Sequence, residues 1–157
     1  GTVSGAADPA DFVKIHQVVV TDAVAYIEFT STYITDAYDS YYVIHKGLTF
    51  VSDNPKLRMN LSIDNGSNLI TSGVTGAAED TVGNATGHCW YHNLRDTTAN
   101  FKYTMGDSVN HHSGAYEVSY QSACLHTTAS AINNIRYFGG SNFTGGTFTL
   151  YGIVGAN

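Results

Sequence analysis

Charge is what this chain has least of. Asp, Glu, Lys and Arg make up 13% of its 157 residues, about half the share of an ordinary soluble domain. A freely soluble enzyme usually carries more surface charge than this. Basic residues are scarcest: seven Lys and Arg, no two adjacent, against 13 Asp and Glu, for a net charge of −6. A groove that tracks phosphates needs a basic cluster, so no nucleic-acid partner is expected. Cysteine is nearly absent, and Cys89 and Cys124 form no CxxC pair. They read either as two buried free thiols or as one disulfide. No apolar run approaches the ~20 residues that cross a bilayer as a helix, so no membrane partner is expected. No signal-peptide pattern opens the chain, and its first residue is not Met, so the start reads as processed, engineered or preceded by further chain. No GxSxG elbow and no glycine-rich phosphate loop occurs. No fixed-period repeat and no apolar stripe of helical period occurs either.

What fills the composition instead is aromatic and neutral. Aromatics reach 12%, with 11 Tyr. Together with abundant Thr, Ser, Asn and Gly they suit pleated faces, and also surfaces packed against copies of the same chain. Gly1–Asp11 is small and without period, and reads as a flexible arm. Residues 12–157 then read as one domain, long enough to bury a core. Strand composition marks Phe12–Val20, Ala23–Ile34 and Tyr41–Ser52. From Leu57 to Asp64 the alternation is cleanest: Leu57, Met59, Leu61 and Ile63 face one way, Arg58, Asn60 and Ser62 the other. Asn65-Gly66 then predicts a tight turn. Thr71–Gly87 reads as a loop. Strands resume at His88–Leu94, Asn100–Gly106, Ala115–Leu125, Ala131–Phe138 and Gly146–Val154. Gly139-Gly140 and Gly145-Gly146 read as turns between them, and "TTASAI" as the one place for a helical turn. Gly152 predicts a gap into which a backbone or a bulky side chain comes close. The fold expected is all-β, an antiparallel sandwich of jelly-roll type with eight or nine short strands.

Few residues invite chemistry. His88, His92, His111 and His112 are the candidate metal ligands. On an extended strand His88 and His92 share a face but lie ~13 Å apart, so a zinc site needs a bulge or turn between them. The alternative is surface or interface histidine. Asp64–Asn68 offers oxygen ligands but lacks the EF-hand pattern, so a plain turn is expected. Glu28 and Glu117 are the acids within strands, and nothing in the sequence brings them to the separation glycoside hydrolysis needs. No catalytic residue and no cofactor is expected. Trp90 is the sole Trp, read either as core or, with Tyr38, Tyr41 and Tyr91, as an aromatic ligand-binding or subunit face.

Four segments carry a resemblance. "VAYIEFTSTYI", "LRMNLSIDNGSN", "LRDTTANFKYTM" and "AINNIRYFGGSNFTGGTFTLYGI" are similar, in order, to jelly-roll virion surface proteins of tailed bacteriophages. Those proteins end on a strand like "GTFTLYGI". The resemblance spans Phe12 to Val154. The stretches Thr71–Gly87 and His111-His112 match no pattern of that family. It implies a non-enzymatic component of the particle surface, either a capsid decoration protein or the head of a tail fibre. It also implies a homo-oligomer, expected to be a trimer. The partners would be the major capsid protein or other virion proteins, with a host surface glycan in the fibre case.

Overall fold

A computed structural model describes residues 11–52, 56–77, 85–98, 101–111 and 117–154. Among them every regular element is a strand, and every strand pairing is antiparallel. There are nine: β1 (Asp11–Val20), β2 (Val24–Phe29), β3 (Ser40–Phe50), β4 (Lys56–Ser62), β5 (Ile70–Ala77), β6 (Ala85–His92), β7 (Lys102–His111), β8 (Glu117–His126) and β9 (Asn134–Val154). Hydrogen bonding orders them β5-β4-β9-β3-β6-β7-β8, with β1 and β2 also on β9. The expected arm falls outside the described residues, except that the backbone of Asp11 already pairs with Val154.

The architecture turns on β9. Its 21 residues were expected as two strands with glycine turns between. They form one continuous strand with two sets of partners. From Asn134 to Phe143 it lies between β2 and β4, and from Phe143 to Val154 between β1 and β3. The glycines make the change of partners possible. Ile135, Tyr137 and Phe143 point into the core at odd positions, whereas Phe148, Leu150 and Gly152 do so at even ones. Such a switch requires an extra residue in the strand, a β-bulge. It falls at Gly145-Gly146, where Gly146 has φ +107°. β3 makes the matching switch opposite, from Tyr41, Val43 and His45 to Leu48 and Phe50, through Gly47 at φ +62°. A Cβ on Gly146 would sit 2.7 Å from the Gly47 carbonyl oxygen. The two bulges are thus seated on each other, and Gly146 is required there both by its positive φ and by the lack of room for a side chain.

The core runs along β9, β3, β4 and β6 and is strongly aromatic, with Phe29, Tyr41, Tyr91, Tyr137, Phe143 and Phe148 fully buried. Tyr91 and Tyr137 satisfy one another through their hydroxyls, which is how two phenols can be buried without loss. Tyr41 donates to the Thr35 carbonyl and accepts from the Thr35 amide, 2.7 Å away. Beneath β7 the interior turns polar. Lys102 is fully buried, and its Nζ donates to the carbonyls of Asp96 and Thr128, both at 2.7 Å. That one ammonium ties the segments before β7 and after β8 together. β5, at the far end of the sheet path, lies close to β7 and β8 without pairing to either.

Other expectations shift in detail. Part of the stretch read as a loop is strand: β5 runs to Ala77 and β6 starts at Ala85, and residues 78–84 lie outside the described ones. The glycines there break the strand signal, yet β5 gains its hydrogen bonds from β4. "TTASAI" holds no helical turn. The helical turn is at Thr30–Ile34, where the amides of Tyr33 and Ile34 donate to the Thr30 carbonyl, and it ends β2 early. Ile63 is 41% exposed because β4 stops at Ser62. The turn after it does contain Asn65 and Gly66 at positive φ.

Candidate functional site: an aromatic groove on the outward sheet face

Strand alternation divides β6 cleanly. Ala85, Cys89 and Tyr91 enter the core, while His88, Trp90 and His92 turn outward. The same division on the neighbouring strands builds three rows across the outward face. The register aligns Tyr42, Trp90, Met105 and Ala123 in one row. Ile44, His88, Asp107 and Gln121 form the row on one side of it, and Ser40, His92, Tyr103 and Leu125 the row on the other. Rows two residues apart along a strand are ~7 Å from one another.

The central row is aromatic at one end. Tyr42 and Trp90 have ring centroids 4.4 Å apart, and Phe12 from β1 meets both edge-on, at 5.8 and 5.6 Å. Trp90 lies parallel to His92 at 5.9 Å, and His92 stacks on Tyr103 at 4.5 Å. Phe12 and Met105 remain more than half exposed. Beside Trp90 and Met105 the surface dips into a hollow of about 500 Å³ that reaches His88, Asp107 and Gln121. A smaller hollow of about 280 Å³ adjoins it, between Trp90, His92 and Met105. The larger lies within the size range of small-molecule sites. Its polar wall is built around one contact, His88 Nδ1 to Asp107 Oδ1 at 2.9 Å.

The expected ligand-binding residues divide. Trp90 is half-buried on the outward face and is not among the core residues. Tyr38 is half-buried and lines a separate hollow of about 340 Å³ with Asp36, Asp39 and Arg95. There Arg95 bonds Asp36 at 2.8 Å and holds its carboxyl below the usual range. Tyr41 and Tyr91 are fully buried, so neither offers a face to a ligand. The candidate metal ligands stay apart in their contacts. His88 faces Asp107, while His92 sits between two rings with its Nδ1 3.2 Å from the Ser40 hydroxyl. Only the backbone of His111 is described, and His112 lies outside the described residues. Among the described residues no three His, Cys, Asp or Glu side chains converge as a metal site would require. Compared with known proteins, the chain matches no family model, no curated protein and no solved structure.

The remaining candidates are occupied structurally. Asp64 accepts from the Ser62 hydroxyl and from the amide and side chain of Asn68, which lowers its carboxyl to about 2 and makes it a turn residue. Glu28 accepts from Arg136 Nε at 2.6 Å, and the guanidinium covers the Tyr26 ring at 4.4 Å. The side chain of Glu117 lies outside the described ones. Cys89 and Cys124 are both free thiols, the first buried and the second partly so. Sequence reasoning missed Asp107, Met105 and Gln121. Alternation along "YTMGD" already put Tyr103, Met105 and Asp107 on one face, but their meeting with Trp90 depends on a pairing between separate strands.

Proposed function

We propose that this chain is a non-enzymatic structural protein of a bacteriophage virion, a decoration or cement protein on the capsid surface that acts through self-association and contacts with the shell. The observation that carries this is the apolar outward face. Phe12, Tyr103, Met105 and Leu125 are all at least 39% exposed on one side of the sheet, with few charges among them. Exposed aromatic and Met side chains on a charge-poor patch are the composition of a protein contact. The segment resemblance to phage virion surface proteins supports the same reading. The change of partners along β9 supports a sandwich of jelly-roll type, one layer holding β2, β4 and β5, the other β1, β3, β6, β7 and β8. Light scattering behind size exclusion tests it: a trimer or other symmetric oligomer is expected, disrupted by Leu125→Lys. A strict monomer at high micromolar concentration, with no affinity for capsids, overturns it.

A second reading, the receptor- or glycan-binding head of a tail fibre, is favoured by the hollow beside Trp90. Binding to host cells that is lost on Trp90→Ala supports that reading.

A further inference from the structure

We propose that the hollow beside Trp90 is a binding site for neutral pyranosides. The inference rests on the glycan-binding reading and specifies its ligand. The argument starts from the two rows that meet there. One supplies an apolar floor, Trp90 and Met105 with Ala123 beyond them. The other supplies a polar wall, His88, Asp107 and Gln121, alongside that floor. A pyranose has the complementary form: a C–H face that lies on an aromatic ring, and a rim of hydroxyls that both donate and accept. Asp107 is suited to that rim. His88 takes Oδ1 at 2.9 Å and fixes the carboxylate, and Oδ2 has no hydrogen bond among the described residues. A carboxylate accepting from sugar hydroxyls makes the stronger, charge-assisted kind of bond. Gln121 is exposed at the end of the same row and brings an amide that both donates and accepts.

Charge selects among sugars. Among the described residues no Lys or Arg lines the hollow, and the chain carries a net charge of −6. A sialylated or sulfated glycan would bring its anion toward Asp107 with no Lys or Arg among the described lining residues to receive it. A wholly apolar occupant fits no better, since it would cover the Asp107 carboxylate and leave only His88, on Oδ1, as its partner. The adjoining hollow between Trp90, His92 and Met105 gives a second ring room beside the first, which favours an oligosaccharide over a monosaccharide.

The test is a glycan array carrying neutral hexose oligosaccharides beside sialylated and sulfated ones, probed with the full chain and followed by calorimetry. Neutral ligands are expected to bind. Trp90→Ala is expected to abolish binding, and Asp107→Asn to weaken it about tenfold, as loss of a charge-assisted bond implies. Gln121→Ala should weaken it severalfold, and Tyr26→Ala, on β2, should leave it unchanged. Gln121 is exposed and Asp107→Asn keeps its shape, so these two decide the matter even if Trp90→Ala unfolds. Binding confined to acidic glycans overturns this inference but leaves the receptor reading standing. No binding to any glycan overturns both. Neutral binding that survives all three groove substitutions puts the site elsewhere and overturns the inference.

Discussion

Gly152→Ala should destabilise the protein through a single clash. A Cβ on Gly152 would lie 2.3 Å from Tyr38 Cδ1 and 2.4 Å from its Cγ. Those atoms belong to the near side of the ring, so no end-rotation of a flexible chain relieves the contact. The ring must move away from Tyr41, against which it packs at 5.9 Å, or β9 must pull back from β3. Overpacking of this kind costs ~1–3 kcal/mol. Replacing Gly by Ala within a strand returns roughly 0.5–1 kcal/mol of backbone entropy. A net loss of ~1–2 kcal/mol remains, a fall in melting temperature of about 2–8 °C for a chain of this size. Thermal and urea melts of Gly152→Ala, Tyr38→Ala and the double variant measure it. In the Tyr38→Ala background the added methyl has room, so Gly152→Ala should there be neutral or slightly stabilising. A coupling of ~1 kcal/mol or more is therefore expected. If Gly152→Ala costs the same with and without the Tyr38 ring, the clash is not the cause and the reasoning fails.

Three further outcomes follow from the interior. His45 is fully buried, with neither ring nitrogen hydrogen-bonded among the described residues, and burial lowers it from 6.5 to about 4. A histidine depressed in the folded state stabilises above its unfolded value, and that stability is lost as pH falls from about 6.5 to 4. Roughly 3 kcal/mol should disappear across that window, with His92 and His126, also lowered by burial, adding in the same direction. Urea melts at pH 7 and pH 4 show it, and His45→Leu should flatten the slope. Tyr91→Phe leaves the Tyr137 hydroxyl buried with only the Cys89 thiol, a weak partner, beside it and should cost ~1–3 kcal/mol, whereas the double Phe variant should be much closer to wild type; equal losses in both would count against the hydroxyl pair. Burial raises the Cys89 thiol to about 12, so Ellman's reagent should titrate one thiol, Cys124, in the native protein and a second only on unfolding. Two fast thiols would show that β6 opens readily.

Local chemistry made much of this fold readable. Period-two alternation located β4, and the crowding of Val, Ile, Tyr and Phe located β3. Gly152 was legible as a close approach, and Tyr38 is what approaches it. The errors share one origin, the neglect of partners distant in sequence. Gly139-Gly140 and Gly145-Gly146 look like turns because turns and bulges need the same backbone freedom; only β3 with its own bulge at Gly47 tells them apart. β5 was invisible because Ser72, Gly73, Gly76 and Ala77 interrupt its β-branched residues, and β4 supplies its order. For the site, a single strand shows which residues share a face but not which row they join. Trp90 was identifiable as a candidate and Asp107 was not, since only the β6–β7 register brings Asp107 to His88. Tyr41 and Tyr91 were misplaced because Tyr serves equally well in a core and on a surface, and spacing alone does not mark the phenol partners that allow burial, the Thr35 backbone and Tyr137.

Ribosomes make β9 late. Strands β1 to β4 each pair with it, yet all four leave the exit tunnel well before it does. Until Asn134–Val154 is synthesised, their hydrogen-bonding edges have nothing native on that side, and contacts this far apart in sequence form slowly. The nascent chain should therefore pass through a long window in which aggregation or chaperone capture competes with closure. Maturation would then be completed in one late step, when a single segment zips between two pairs of waiting strands.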